Sequence, residues 1–168
     1  MGDKKDLNGQ EAILKMRELA EEIKVCMFCT YKDNELQARP MTAQQVDEFG
    51  NIWFLSDKNS AKNANIAVNS HVDLLFGQGT AKFLSLHGSA TILYDKEKIK
   101  ELWQPIAKIW FTEGVDDPRI SVIKLSVEHG YYWDTKHGKA IETAIMVAAF
   151  LSGKTMDDGI EGNLRIRG

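Results

Sequence analysis

The chain has 168 residues, 43% of them hydrophobic and 27% charged, with a formal net charge of −3. That length reads as one domain spanning 1–168; the apolar share is too high for a disordered chain, and the near-balance of charge argues against a nucleic-acid partner. The longest run free of charge and strong polarity, 144–151, is far short of the ~20 apolar residues of a membrane helix. Met1 to Asp6 has no apolar run behind it to make a signal peptide, and Asp6 stands where a myristoylation motif wants Ser or Thr. A cytoplasmic globular protein with no membrane partner is expected.

In chain order, Asn8 with Glu11 three residues on opens a helix over 9–24, and Ile13, Met16, Leu19, Ala20 and Ile23 give it one apolar face. Strands are expected over 25–32 and 35–43 around an Asp33-Asn34 turn. A hairpin follows, Val46 to Phe49 and Ile52 to Ser56, turning at Gly50-Asn51. A short helix falls near 60–69, then strands near 72–77 and 82–94. In the second of these, Leu84, Leu86, Gly88, Ala90 and Ile92 share one face. Asp95 caps a helix carrying Ile99, Leu102, Ile106, Ile109 and Trp110, bent at Pro105. A loop from Thr112 to Pro118 leads to a long strand, Ile120 to Trp133. A helix over 140–152 stops at Gly153, and the tail 153–168 is expected to be loose unless Leu164 to Ile166 docks as an edge strand. Consecutive strands with helices between or after them suggest an antiparallel barrel, about 25–134, with peripheral helices.

Most local motifs fail. Cys26-x-x-Cys29 lies in a strand-forming run, where positions three apart face opposite sides, so two buried thiols are favoured over a redox pair. Ser152-Gly153-Lys154-Thr155 lacks the earlier glycine of a P-loop, since that position is Ala148. Gly77-Gln78-Gly79 is followed by Lys82 where a dinucleotide fingerprint needs its third glycine. His71, His87, His129 and His137 form no i, i+4 pair and read as isolated polar residues, and Asp116-Asp117-Pro118 reads as a turn rather than a metal pair. No metal site is expected, the catalytic residues stay unassigned, and any chemistry is expected to belong to a cofactor.

One constellation stands out. Pro40 marks an edge or bulge, because it has no ladder donor. Ser56 ends a strand, and Ser60 and Lys62 open a helix; with Arg39 on a neighbouring strand they make a candidate phosphate site of hydroxyls, free N–H groups and cations. The alternative is that Ser60 only caps the helix and Lys62 is solvated.

These residues and their order resemble the FMN-binding split barrel of the pyridoxamine 5'-phosphate oxidase-like superfamily, most closely its bacterial general stress protein branch. The matching features are Arg39-Pro40-Met41, Ser56 with Ser60-x-Lys62, and His87-Gly88-Ser89-Ala90. Trp110-Phe111 before Glu113-Gly114-x-Asp116-Asp117-Pro118, and Tyr132-Trp133-Asp134, complete the set, covering residues 10 to 155. The resemblance implies a mainly β fold with peripheral helices, a six- to seven-stranded antiparallel split β-barrel. It implies FMN at the interface of a homodimer, with FAD or a deazaflavin as alternatives and a small-molecule substrate or electron donor. Haem is a further alternative, but the histidines give no reason to prefer it.

By the same resemblance Arg39 and Lys62 are the phosphate cations and Ser56 and Ser60 the hydroxyl donors. Pro40, Met41 and Leu55 lie beside the ring system, and Trp133 stands near it. Phe83 replaces a glutamine of the oxidases, and Ala61 replaces an arginine. Trp110 and Phe111 either cover the flavin from the partner chain or pack in a helix core. The Arg-Leu-His-Asp-Arg run of the oxidases is here Lys139-Ala140-Ile141-Glu142-Thr143, so synthesis of pyridoxal phosphate is not expected. A flavin oxidoreductase-like stress protein is the first reading, and a flavin-binding or storage module without turnover the second.

Overall fold

The expected first helix forms as α1 (Gly9–Ile23), with Ala12, Ile13, Met16, Leu19 and Ala20 buried. Asn8 holds its N-cap position but makes no side-chain cap bond. Its backbone belongs instead to β2 (Leu7–Asn8), which with β1 (Asp3–Lys4) runs parallel to a strand from the far end of the chain. The computed structural model describes residues 3–135, 147–148, 150–152 and 159–168.

β3 (Val25–Lys32) and β4 (Glu35–Thr42) pair around Asp33 and Asn34, whose φ values of 51° and 64° are those of a type I′ hairpin turn. The next hairpin differs from expectation. β5 (Gln45–Val46) and β6 (Asn51–Asp57) pair Val46 with Ile52, leaving Asp47 to Gly50 as a longer loop. The Asp47 side chain builds it: its carboxylate accepts bonds from the backbone N–H of Phe49 and Asn51 (both 2.9 Å), the Asn51 amide (2.8 Å) and the Trp53 indole (2.9 Å). Gly50 turns the chain with φ 78°, and a Cβ there would come within 2.6 Å of Ile166.

α2 (Ala61–Val68), β7 (His71–Gln78), β8 (Lys82–Leu93) and α3 (Lys96–Leu102) follow where expected. Pro105 does not bend α3; the helix ends before it. Gln104 is extended, as a residue preceding proline prefers, and a separate 3₁₀ turn covers Pro105–Ile109. β9 (Ile120–Thr135) is the longest strand, and β10 (Gly159–Arg165) completes the sheet. The order is β1-β10-β9-β8-β7-β3-β4, with β6 on the first half of β9 and β5 on β6. The fold is thus mainly β with peripheral helices, of the split-barrel type, with ten strands among the described residues where six or seven were expected. The additional strands are short or come from the tail, and β1 and β2 lie parallel to β10.

That tail is the clearest correction. Residues 159–165 pair with His129 to Thr135, and Leu164 is fully buried. Arg167 donates to the Phe49 carbonyl and the Asn51 side chain, both at 2.8 Å. β10 is not an edge either, because β1 and β2 cover its outer side. Of the helix expected over 140–152, residues 147–148 and 150–152 are described and helical; the rest, with Lys139 and His137, lies outside the described residues.

The main core lies between α1 and the inner sheet face, around Phe28, Phe54, Leu74, Leu84, Leu86, Ile123, Leu125 and Tyr132. Phe28 meets Phe54 edge to face at 5.1 Å. A second cluster, Ile99, Leu102, Ala107, Phe111, Ile120 and Val122, packs α3 and the 3₁₀ turn on the β6–β9 end. Cys26 and Cys29 are buried free thiols; burial pushes the Cys26 thiol up to about 12, far from a reactive thiolate.

Between the β6-paired and β10-paired halves of β9 the register with β8 shifts: His87 faces His129, but Gly88 faces Val127, so Glu128 is an extra, bulged residue. A Cβ on Gly88 would come within 2.3 Å of the Ser126 carbonyl oxygen. Gly88→Ala is therefore expected to cost at least about 1–3 kcal/mol, the usual penalty of overpacking, because the obstacle is backbone. Urea unfolding of wild type and variant measures it, and equal midpoints would disprove the clash.

Burial pushes the Asp47 carboxyl up, but the bonds from Asn51, Trp53 and Phe49 outweigh it and hold the group below its ordinary 3.8. A carboxyl depressed on folding stabilises the protein above its unfolded value and loses that contribution as pH falls through the folded one. Stability is therefore expected to decline below about pH 4, and Asp47→Asn is expected to flatten that limb. Denaturant midpoints taken between pH 2 and 6 check it.

Candidate functional site

β4 is the end strand of the order, and Arg39, Pro40 and Met41 occupy it opposite Phe28, Met27 and Cys26. Pro40 costs no ladder bond on such an edge. Arg39 donates to the Thr30 hydroxyl at 2.6 Å. The Asn65 amide of α2 donates to the same hydroxyl (3.0 Å) and to Gln37 (2.8 Å), so a buried threonine ties Arg39 to the helix.

β6 delivers Leu55 and Ser56 and ends at Asp57; the turn beyond it enters α2 at Ser60, whose hydroxyl accepts the Asn63 N–H. Asn63 is the hub. Its side-chain oxygen accepts from Ser56 (2.7 Å) and Ser60 (3.1 Å), and its amide donates to Ser121 of β9 (2.9 Å). Ser121 in turn donates to the Ser56 carbonyl at 3.0 Å. Ser56 is 2% exposed. The structure therefore corrects its expected role: its hydroxyl is spent inside the protein, holding Asn63, and only Ser60 remains at the surface as a hydroxyl.

Lys62 sits in the first turn of α2. Burial, then the neighbouring Arg39 charge, push its pKa down, with Asp57 opposing. Burial likewise lowers Arg39. Among the described residues neither cation has an ion pair with a carboxylate. The nearby Asp57 is itself paired with Arg119 at 3.6 Å, and Arg119 also holds Asp117 at 2.8 Å. Arg119 keeps the Asp117 carboxyl at about 2, which makes Asp116-Asp117-Pro118 a turn locked by an arginine. Two adjacent, half-buried cations beside a helix N-terminus form a cradle whose chemistry fits a phosphate.

The remaining expected site residues form a second group. Phe83 and Trp133 face each other across β8 and β9 and stand 39% and 43% exposed. Tyr131 lies against Trp133 with ring centres 4.5 Å apart. Trp110 is exposed at the end of the Pro105–Ile109 turn, but Phe111 is 5% exposed and belongs to the second core cluster. Of the two roles weighed for Phe111, packing is the one the structure shows. Trp133 lies twelve residues along β9 from Ser121, up to about 40 Å at ~3.3 Å per residue, so one chain does not bring its two groups together by that strand.

Thr30, Asn63, Asn65, Ser121 and Arg119 were not anticipated. Asn63 and Asn65 carried a signal: asparagine favours caps and turns over helix interiors, and two within an eight-residue helix point to polar work on its buried face.

The family model for proteins described as pyridoxamine 5'-phosphate oxidase like matches residues 11–157, and the chain belongs to that family. A solved structure named as a general stress protein 26 from Jannaschia sp. CCS1 superposes with a TM-score of 0.77. It is 23% identical, with 94% of this chain and 100% of that chain covered. A general stress FMN/FAD binding protein from Xanthomonas citri is 27% identical over 76% of this chain and 92% of that one, with a TM-score of 0.66. Protein bli-3 of Neurospora crassa is 23% identical over 133 residues, 73% of this chain; the match spans 64% of that protein's length. The resemblance to the general stress proteins of this family is thereby supported. No helix among the described residues is long and apolar enough to cross a membrane.

Asn63→Ala removes the hub and leaves the buried Ser56 and Ser121 hydroxyls short of partners. It is expected to cost about 1–3 kcal/mol, the penalty for stranding buried polar groups, and to raise amide exchange across 60–64 before the sheet. Hydrogen exchange read by mass spectrometry checks it; uniform exchange would show that Asn63 does not organise this turn.

Proposed function

We propose that this chain is a flavin-binding oxidoreductase that acts as a homodimer on a small molecule, with the flavin shared between protomers. One observation carries the reading: Arg39 of β4 and Lys62 in the first turn of α2 are half-buried, the Arg39 charge acts on Lys62, and neither has a carboxylate ion-pair partner among the described residues. The Arg39 charge disfavours the protonated Lys62, a repulsion that a doubly charged anion between the two cations relieves. FMN is the first candidate, and FAD presents the same phosphate chemistry; the Xanthomonas citri relative is named for both. Ser60 and the free N–H groups of α2 complete the phosphate contacts, and Pro40, Met41 and Leu55 flank the ring system.

When bound, the flavin supplies hydride or electron exchange. Phe83, Trp133 and Trp110 serve the ring from the partner chain. Two features support sharing: the separation of the two residue groups along β9, and the exposed apolar side chains Val25, Met27, Leu75, Phe83 and Trp133 on the outer face of the sheet. Ala61 supplies no third cation, so phosphate affinity rests on Arg39 and Lys62. The segment 139–143, which lies outside the described residues, carries Lys139 but no arginine; pyridoxamine phosphate is not the substrate proposed.

Fluorescence titration tests this reading. Arg39→Ala and Lys62→Ala are each expected to weaken FMN binding by about 1.5–3 kcal/mol, tenfold or more in Kd, and to leave the affinity for riboflavin, which has no phosphate, nearly unchanged. Equal FMN affinity in both variants would move the phosphate elsewhere, and light scattering that finds a flavin-loaded monomer would refute the shared site.

A further inference from the structure

Away from the phosphate cradle, the sheet assembles a second cluster. His71 and Asp73 are two apart on β7 and so point to the same face, and the β7–β8 register sets His87 directly opposite Asp73. One Asp73 oxygen, Oδ1, faces both imidazoles, 3.1 Å from His71 Nε2 and 2.6 Å from His87 Nδ1. The other, Oδ2, accepts the Tyr31 hydroxyl of β3. The potential ligand atoms of the three residues all lie within 4.8 Å of one another.

We propose that His71, Asp73 and His87 bind one divalent transition-metal ion of the zinc type on the outer face of the sheet. Two imidazole nitrogens and one carboxylate oxygen are the protein donors of open zinc sites and of related two-histidine, one-carboxylate sites. Calcium and magnesium prefer all-oxygen shells, so the two nitrogens select against them.

The cluster is built as such sites are built. Both imidazoles already converge on one carboxylate oxygen, so a single dication replaces hydrogen-bonded protons without moving the strands. Tyr31 fixes the free oxygen of Asp73, the second-shell support that ligand carboxylates usually have. His129 stacks on His87, ring centres 4.9 Å apart and 24° from parallel, which limits the orientation of that ring. In the single chain the His71 side chain is half exposed and that of His87 about a third, so the fourth coordination position is open there, beside the outer-face residue Leu75 of the proposed subunit contact. None of these residues belongs to the flavin site proposed above.

Zinc chloride titrated calorimetrically into the chelator-treated full chain is expected to bind one ion per chain. His71→Asn and His87→Asn are each expected to weaken binding more than about a hundredfold, beyond what loss of a second-shell partner does, and Tyr31→Phe about 10–100-fold. A Cys26→Ser, Cys29→Ser double variant is expected to bind as wild type does. Imidazole nuclear magnetic resonance of the wild-type chain reads the same site without any variant: the His71 and His87 signals are expected to move together on adding zinc. The proposal is overturned if wild type binds no zinc, if His71→Asn and His87→Asn bind it as tightly as wild type, or if zinc moves other histidine signals and leaves these two in place.

Discussion

Strand β9 has a hydrogen-bonded neighbour on each edge along nearly all of its sixteen residues: β8 on one side, β6 and then β10 on the other. Where the second edge changes hands, around Val127 and Glu128, the ladder breaks and a bulge fills the gap. The backbone groups left over there are not abandoned. The Val127 N–H reaches the Gly50 carbonyl, and Ile166 and Arg167 donate to the Glu128 carbonyl. Unpaired buried backbone groups are expensive, so this junction needs the Asp47–Gly50 loop and the C-terminal residues together. Gly88 lets β8 cross the bulge at close range. The closure of the fold and the placement of its two ends follow from one strand serving two neighbours in turn.

The same strand positions the site. Ser121, near its start, anchors Asn63 and the entry of α2, while Trp133, near its end, stands on the outer face beside Phe83. The proposed cradle is stiff below and charged above: the hydroxyls of Ser56 and Ser121 and the amides of Asn63 and Asn65 bond among themselves or to Thr30 and Gln37, whereas the Arg39 charge acts on Lys62 and neither cation is ion-paired with a carboxylate among the described residues. Preorganised donors of this kind cost no rearrangement when an anion arrives. The sheet's outer face also carries the His71–Asp73–His87 group, on the β7–β8 ladder and apart from the cradle.

Much of this was legible in the amino-acid order because much of it is local. The alternation in β8, the apolar face of α1, the Asp33-Asn34 turn and the Ser60 cap each follow from side chains within a few residues of one another. The placement of Arg39 and Lys62 was legible for the same reason: a proline-marked edge strand and a capped helix announce themselves. Local rules also misled where a single side chain had more than one use. Asp47 lengthened a hairpin that Gly50-Asn51 alone would have made tight, and Pro105 ended a helix that the apolar spacing would have carried through it.

The chain alone determined its elements, the faces they bury, and the family whose split barrel it shares. It could not determine which distant residues would meet. Ser56 reads as a surface hydroxyl until Asn63, itself tied to Ser121 58 residues away, takes that hydroxyl inside. Phe111 reads equally as a cover or a core residue until α3 and β9 enclose it. The tail reads as loose until β9 offers it a free edge. His71 and His87 read as isolated polar residues until strand register sets them beside Asp73. Periodicity records what each residue does with its neighbours in the chain; register and packing, which exist only once strands pair, decide what it does with everything else.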